Sequence, residues 1–223
     1  MTERAPVLTL DGPSGSGKGT VGQMCARRLG WHYLDSGAIY RALAYIVQQR
    51  GIDPGDVDEI VRQGAKLDME CVPNPPESAT IYLEGEKVDD RLRTEDLGRL
   101  ASELASIPAV RQALLETQRR MLRPPGLVAD GRDMGTVVFP RAEWKFFLTA
   151  SAEVRAKRRY KQLKLKGFDV TLAPLFQAIQ ERDTRDAQRS VSPLKPADDA
   201  IVLDTSEMSI DEVVSRVLDH VTT

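Results

Sequence analysis

A glycine-rich segment near the start of the chain constrains the fold more than any other feature. It reads Gly12-Pro-Ser-Gly-Ser-Gly-Lys-Gly-Thr20, follows the apolar run 7–10 and precedes a helical pattern of apolar residues. A strand, a glycine-rich turn and a helix in this order form a phosphate-binding loop, in which backbone N–H groups and a helix N-terminus face one anion. Lys18 adds a positive charge, and a hydroxyl of Thr20 or Ser16 reaches a phosphate or a phosphate-bound Mg²⁺. A glycine-rich turn without a ligand is the alternative, which this context disfavours.

The residue after the lysine departs from the general pattern, which has Ser or Thr there. Here Gly19 follows Lys18, and Thr20 comes next. This ending is less typical of GTPases and motor ATPases, and it resembles nucleoside monophosphate kinases, which transfer a phosphoryl group from ATP to a second nucleotide. The guanine-reading motif Asn-Lys-x-Asp does not occur in the sequence, which also disfavours a GTP-hydrolysing switch.

Composition indicates a soluble globular protein of one or two domains. The chain has 223 residues, of which 41% are hydrophobic and 29% are charged. A net charge of −2 gives no field that attracts nucleic acid or an anionic membrane. The two cysteines, Cys25 and Cys71, have no disulfide or metal-site spacing, and the sequence contains no signal region and no long apolar run. We therefore predict a cytoplasmic protein without nucleic-acid or membrane partners, and a monomer by default.

Periodicity along the chain predicts an α/β fold with one inserted unit. Short apolar runs at 7–10, 31–34, 127–129, 144–148 and 201–203 predict a parallel five-stranded sheet wrapped by helices. Two further runs, 67–72 and 79–83, are separated by a turn-rich segment and indicate a small antiparallel sheet. Polar helical stretches at about 152–166 and 172–189, joined through Gly167, indicate a mobile helical lid that carries basic residues.

Charged residues follow three of the predicted strands. Lys18 follows the first strand, Asp35 the second, and Asp130-Gly-Arg-Asp133 the third, and ligands of such sheets bind beyond the carboxyl ends of the strands. A helix cap at Asp35 and a salt-bridged turn at 130–133 are the structural alternatives. Since two carboxylates and an arginine after a buried strand are costly to pack unless they are paired or solvated, we predict a site. Arg132 would bind a phosphate, and Asp130 or Asp133 would accept from a base or sugar or order the waters around Mg²⁺.

Further basic side chains lie on predicted helices. Arg182, Asp186 and Arg189 share one helix face at i, i+4 and i+7, which is either a solvated charged face or a clamp for phosphate charge in a transition state. Arg41 lies opposite the apolar stripe of its helix and would bind a second phosphate, and Arg158 lies on the first lid helix.

The chain resembles the bacterial cytidylate kinases over essentially its full length. The most specific strings are Leu34-Asp-Ser-Gly-Ala-Ile-Tyr-Arg41 and Asp130-Gly-Arg-Asp-Met-Gly-Thr-Val-Val-Phe-Pro140, with support from Lys166-Gly-Phe168, Arg182-Asp-Thr-Arg-Asp186 and Ser192-Pro-Leu194. The resemblance implies transfer of the γ-phosphoryl group of ATP to CMP or dCMP, giving ADP with CDP or dCDP. Another small-molecule kinase of this fold, with UMP or shikimate as acceptor, is the alternative.

The same resemblance implies a division of the chain into functional regions. One kinase domain would span residues 1–223. Its core would comprise 1–35, 95–150 and 190–223. A monophosphate-binding region would span 36–94, with an insertion at about 64–90, and the lid would span 151–189.

Site residues follow from the resemblance as well. ATP with Mg²⁺ would lie on Gly12, Pro13, Ser14, Gly15, Ser16, Gly17, Lys18, Gly19 and Thr20, with Thr20 as a metal ligand. CMP would contact Asp35, Ser36, Arg41, Ser102, Arg111, Arg132, Asp133, Arg182, Asp186 and Arg189. Within this set, Arg41 and Arg189 would hold the acceptor phosphate, and Arg111 would bond the base carbonyl. The residues expected to act in catalysis are Lys18, Arg132, Asp133, Arg182 and Arg158.

Overall fold

A twisted parallel sheet lies at the centre of the protein, and a small antiparallel sheet is attached to one edge. The computed structural model describes residues 5–75, 79–88, 91–165, 167–188 and 192–221. Its strands are β1 (Val7–Asp11), β2 (His32–Asp35), β3 (Met69–Val72), β4 (Thr80–Leu83), β5 (Glu86–Lys87), β6 (Leu127–Gly131), β7 (Trp144–Thr149) and β8 (Ile201–Asp204). The central sheet has the order β2-β6-β1-β7-β8 with all pairs parallel, and the second sheet has the order β3-β4-β5. The predicted α/β fold class is confirmed.

Helices cover the central sheet. They are α1 (Lys18–Leu29), α2 (Ser36–Gln49), α3 (Val57–Ala65), α4 (Glu95–Leu104), α5 (Pro108–Arg120), α6 (Ala152–Leu165), α7 (Leu172–Ala187) and α8 (Ile210–Val221). Two shorter helical segments are a 3₁₀ turn (Arg91–Arg93) and a π-helix (Met134–Val138). None of the helices in the described ranges is long and apolar enough to cross a membrane.

Local sequence signals start several of these helices. The Asp35 side chain accepts a hydrogen bond from the Ala38 N–H at 3.0 Å and so caps α2. In α8 the Ser209 hydroxyl accepts from the Glu212 N–H, and the Glu212 carboxylate accepts from the Ser209 N–H at 2.8 Å. The capping box predicted for this helix is therefore confirmed.

The central strands β1 and β6 are buried along their whole length. Burial on both faces is typical of parallel strands covered by crossover helices, and it explains why their sequences are continuous apolar runs. The register aligns Asp11 of β1 with Gly131 of β6, and Asp35 of β2 with Asp130 of β6. The acidic residues Asp11, Asp35 and Asp130, at or beside the ends of β1, β2 and β6, therefore lie together at the carboxyl edge of the sheet.

Helix α3 lies directly before the small antiparallel sheet, and it was not predicted from the sequence. Its apolar residues Val57, Ile60 and Val61 have helical spacing, and Ile60 and Gly64 are buried. At Gly64 it packs closely on α5, where the Thr117 hydroxyl donates to the Gly64 carbonyl at 3.0 Å. The antiparallel sheet packs against β2, and the Asn74 N–H donates to the Gln23 side chain of α1 at 2.9 Å. The small antiparallel sheet is thereby joined to α1 and β2.

Candidate active site

The glycine-rich loop connects β1 to α1 and forms an anion cradle. Gly12 has φ +146°, and a Cβ there would lie 2.0 Å from the Leu148 carbonyl oxygen, so a side chain would collide with β7. The Ser16 hydroxyl is buried and has no hydrogen-bond partner within the described residues. A buried hydroxyl is costly unless it is hydrogen-bonded. A bound phosphate would supply the missing acceptor, so the cradle fits a nucleotide phosphate.

Lys18 begins α1 and lies at the centre of the charged groups. Its ammonium donates to the Pro13 carbonyl at 3.3 Å and lies 3.9 Å from the Asp130 carboxylate. Burial lowers the pKa of Lys18; the charges of Arg132 and Arg182 lower it further, whereas those of Asp130 and Asp35 raise it. The structure thus brings groups from β2, β6 and α7 around the lysine of the loop.

Asp130 is held by a tyrosine from the neighbouring strand. The Tyr33 hydroxyl donates to Asp130 Oδ2 at 2.9 Å and lies 3.4 Å from the Gly19 carbonyl oxygen. Burial raises the pKa of Asp130 to about 6; Lys18 lowers this pKa, and Asp35 raises it. A Cβ at Gly19 would lie 3.1 Å from Asp130 Oδ2. The absence of a side chain after Lys18 therefore makes room for this carboxylate.

Two buried ion pairs line the region beyond β6. Arg111 of α5 pairs with Asp133, and Arg132 pairs with Asp186 of α7. Arg111 also donates to the Ala105 carbonyl at 3.2 Å. Four sequence-predicted residues therefore meet in two pairs, which join the end of β6 to the helix before it and to the distant helix α7.

Other predicted residues lie at the margins of this cluster. Ser36 is buried at the start of α2, and the Ser102 hydroxyl donates to the Gly98 carbonyl of its own helix at 3.0 Å. Arg41 donates to the Leu92 carbonyl at 3.0 Å, and its guanidinium lies close to Gly98 of α4. Arg189 lies outside the described residues.

Helix α6 contacts the glycine-rich loop through two arginines. Arg158 donates to the Thr205 hydroxyl at 3.1 Å and to the Ser16 carbonyl at 3.4 Å. Burial lowers the pKa of Arg158. Arg155, which is almost fully buried, donates to the Ser14 carbonyl at 3.2 Å and forms a two-point ion pair with Asp183 of α7. Of these two arginines, only Arg158 was singled out from the sequence, and Arg155 was not.

Sequence reasoning missed Asp11 and Tyr33, which are buried close to the site. Asp11 accepts hydrogen bonds from two backbone N–H groups of the π-helix, and Tyr33 binds Asp130. The only signal for Asp11 was an acidic residue at the end of an apolar strand. Tyr33 reads as an ordinary core aromatic, and its polar role depends on pairing between β2 and β6.

The described residues contain no group of three or more His, Cys, Asp or Glu side chains placed to hold a metal ion. The available donors near the cradle are the half-buried Thr20 and the carboxylate Asp130. Mg²⁺ commonly keeps several waters and binds one or two protein oxygens together with substrate phosphates. This donor set fits a metal that arrives with a nucleotide.

A parallel sheet with a lysine-containing phosphate cradle at its carboxyl edge, faced by paired arginines and carboxylates, defines a phosphate-loop kinase. A family model described as cytidylate kinase matches residues 8–223. The chain belongs to the cytidylate kinase family, a family of nucleoside monophosphate kinases.

Individual proteins agree with this assignment. The chain is 56% identical to a cytidylate kinase of Pseudomonas aeruginosa over 99% of this chain and 96% of the relative. It is also 56% identical to a cytidylate kinase of Methylococcus capsulatus, with 96% of each chain covered. An uncharacterized protein from Eubacterium ventriosum has a similar solved structure, with a TM-score of 0.51 at 12% identity and with 98% and 99% of the two chains covered. That last likeness concerns the fold alone.

Proposed function

We propose that this chain transfers the γ-phosphoryl group of ATP to CMP or dCMP, giving ADP and CDP or dCDP. The observation that carries the proposal is the meeting of the Lys18 cradle with the buried pairs Arg111–Asp133 and Arg132–Asp186 at one edge of the sheet. Such pairs provide carboxylates for a base or sugar and guanidinium groups for phosphate. Family membership supports cytidine nucleotides as acceptors over UMP or shikimate.

On the donor side, the loop Gly12–Thr20 would hold the phosphates of ATP. The backbone N–H groups, the orphaned Ser16 hydroxyl and Lys18 supply the positive potential that the phosphates require. Thr20 would ligate Mg²⁺, and Asp130 would bind its waters. Bound Mg²⁺ would neutralise charge on the β- and γ-phosphates.

On the acceptor side, the assignment follows the donor and acceptor chemistry of cytidine. The Asp133 carboxylate would accept from the exocyclic amino group of cytosine, and Arg111 would donate to the ring carbonyl. Uracil carries a carbonyl in place of that amino group, so it would face Asp133 with acceptor against acceptor. Ser36 and Ser102 would also face the base or sugar.

The remaining polar groups would hold the sugar and the acceptor phosphate. Asp186 would bind the sugar, and Asp35 would border the acceptor pocket. Arg41, Arg132 and Arg189 would hold the phosphate of CMP.

The reaction would need alignment and charge neutralisation more than proton abstraction. The attacking phosphate oxygen of CMP is already anionic, so no strong general base is required. Lys18, Arg132, Arg182 and Arg158 would offset the repulsion between the two polyanions. Closure of the α6–α7 lid would exclude water, which competes as an acceptor.

The arrangement of regions forms part of the proposal. We infer a single kinase domain with a core of 1–35, 95–150 and 190–223, a monophosphate-binding region of 36–94 and a lid of 151–189. A monomeric state and a cytoplasmic location remain predictions. Sedimentation of the purified chain tests the first, and fractionation of cells that express it tests the second.

An ADP-release assay with Mg-ATP tests the function. Acceptors are CMP, dCMP, UMP, AMP, GMP and shikimate, each compared with a reaction without acceptor. We expect fast turnover with CMP and dCMP and slow turnover with UMP. Fast turnover with a different acceptor would overturn the cytosine assignment, and equal ADP release without an acceptor would overturn the transfer reaction.

Asp133→Ala tests the acceptor pocket within the same assay. We expect the Kd for CMP to rise at least tenfold while the Kd for ATP changes less than twofold, because Asp133 pairs with Arg111 and the loop lysine pairs with Asp130. Asp199→Ala is the matched control, since it removes the carboxylate that pairs with another buried cation, Lys145. Unchanged CMP affinity in Asp133→Ala would remove Asp133 from the pocket.

A further inference from the structure

The carboxylate of Asp11 joins the strand before the phosphate loop to the segment after Asp133. Asp11 is the last residue of β1, directly before Gly12, and only 4% of its surface is exposed. Its Oδ1 accepts from the Met134 N–H and its Oδ2 accepts from the Gly135 N–H, each at 2.8 Å. Both contacts are buried, and they connect residues more than 120 positions apart.

These two N–H groups begin the π-helix Met134–Val138. The first N–H groups of a helix lack partners within the helix, and burial makes an unpaired N–H costly. An aspartate at the N-cap position commonly supplies the acceptor. Here the N-cap residue is Asp133, and within the described residues its side chain makes no capping bond to this helix. Asp11 supplies the cap from a different strand.

Capping by Asp11 leaves the side chain of Asp133 free of this task. Because Asp11 satisfies the helix N-terminus, the carboxylate of Asp133 is available to pair with Arg111. The main-chain oxygen of Asp133 accepts from the Val137 and Val138 N–H groups, at 2.9 and 3.1 Å, which fixes the backbone of this residue. Because Asp11 caps the π-helix, the side chain of Asp133 can point toward Arg111.

The contact between β1 and the π-helix is tight. A Cβ at Gly135 would lie 3.0 Å from the Thr9 hydroxyl and 3.4 Å from Asp11 Oδ2. At the other end of the helix, Arg119 donates to the Val138 carbonyl at 3.1 Å and to the Val137 carbonyl at 3.3 Å. The cationic Arg119 at the C-terminal carbonyls also favours the helix dipole.

We propose that Asp11 is a positioning residue that fixes Arg132 and Asp133 relative to the phosphate loop, by capping the π-helix in place of Asp133. Its main chain continues into the donor loop, and its side chain holds the acceptor segment. One residue therefore sets the distance between the two nucleotide sites. The inference rests on the proposed role of Asp133 in binding CMP.

Asp11→Asn tests this role because it keeps the shape of the side chain. An amide has one oxygen and one NH₂ group, so a donor would face one of the two N–H groups. We expect the Kd for CMP, measured by calorimetry without ATP, to rise about tenfold, and the Kd for ATP to change less than twofold. The KM for CMP rises in the same proportion. A role in stability alone would lower the melting temperature and leave the two affinities unchanged.

Asp56→Asn is the matched control, because Asp56 caps α3 through the Glu59 N–H at 3.0 Å, away from the site. It should leave both affinities at the wild-type values. If wild-type protein fails to bind CMP, the proposed function fails. If wild-type protein binds CMP and Asp11→Asn binds CMP equally well, only the positioning role fails.

Arg119→Met keeps the test decisive if Asp11→Asn does not fold. Arg119 is partly exposed, so its replacement leaves no buried charge, and it loosens the opposite end of the same π-helix. We expect a selective loss of CMP affinity of threefold or more. Wild-type affinity for CMP in Arg119→Met, together with an unfolded Asp11→Asn, would overturn the positioning role in favour of a purely structural one.

Discussion

Replacing Tyr33 with phenylalanine would remove one hydroxyl from the centre of the candidate site. The ring would stay in the core, where Tyr33 is 4% exposed, and only the 2.9 Å hydrogen bond to Asp130 and the weaker contact with Gly19 would be lost. Above pH 6 the Asp130 carboxylate is ionised, since burial raises its pKa only to about 6. The hydroxyl therefore donates to a charged acceptor in a buried setting.

The energy of a hydrogen bond to a charged group sets the expected loss of stability. A hydrogen bond to a charged group contributes about 1.5–3 kcal/mol, so we expect the free energy of unfolding to fall by about 2 kcal/mol. For a chain of this size that corresponds to a melting temperature roughly 4–8 °C lower. Turnover should also fall, by about tenfold or ~1.4 kcal/mol, because Oδ2 loses its anchor and Oδ1 is no longer directed at Lys18.

Urea denaturation at pH 8 and the ADP-release assay with CMP measure the two effects. Tyr45→Phe is the matched control, since its hydroxyl accepts from Arg91 at 3.2 Å on the surface. We expect this control to change stability by no more than about 0.5 kcal/mol. If Tyr33→Phe behaved like Tyr45→Phe in both assays, the argument that the hydroxyl orients Asp130 would be refuted.

Three further predictions concern other charged groups. Lys18→Ala should lower turnover at least about 100-fold while the chain still folds; near-normal turnover of the folded variant would contradict the assignment. Burial raises the pKa of Asp11 from 3.8 to about 7, so the folded chain binds a proton more tightly than the unfolded chain between these values. Urea titrations therefore compare the free energy of unfolding of wild type with that of Asp11→Asn at each pH. The wild-type value relative to the variant should fall by on the order of 3 kcal/mol from pH 5 to pH 8. A difference that does not change with pH would refute the raised pKa of Asp11. Asp183→Asn leaves the buried Arg155 without its ion-pair partner and should cost about 2 kcal/mol in the same titrations; Asp169→Asn, at an exposed pair, should cost less than about 0.5 kcal/mol, and equal losses would contradict the argument from burial.

Much of the fold could be predicted from the sequence because each signal was local. Apolar runs at 7–10 and 127–129 mark the buried strands β1 and β6. Asp35 and Ser209 mark helix starts through hydrogen bonds to residues three positions away. The second sheet was predicted from two short runs and the turn between them. Helix α3 was missed although Val57, Ile60 and Val61 have helical spacing, and β5 was missed because it has only two residues.

The pairing of charges could not be predicted from local patterns. Arg132 and Asp186 are 54 positions apart, and Arg111 and Asp133 are on different elements that meet only in the folded chain. Asp11 illustrates the same limit most clearly. Asp11 ends an apolar strand and has no local motif, and its hydrogen bonds go to a π-helix that periodicity does not detect. Sequence reasoning thus predicted that these charged residues gather at the carboxyl edge of the sheet, but it did not predict how they pair.

These pairings bear on how the proposed site would work before substrates arrive. Lys18, Arg111 and Arg132 are each buried or nearly so, and each faces a carboxylate, namely Asp130, Asp133 and Asp186. Buried cations without such partners would carry a large desolvation cost. Under the proposed assignment, groups of CMP and ATP replace these carboxylates as partners of the cations, so none of these three cations is buried without a partner before the substrates bind. The cations are therefore already desolvated and oriented when the phosphates bind, which is the condition under which electrostatic stabilisation of a transition state is most effective.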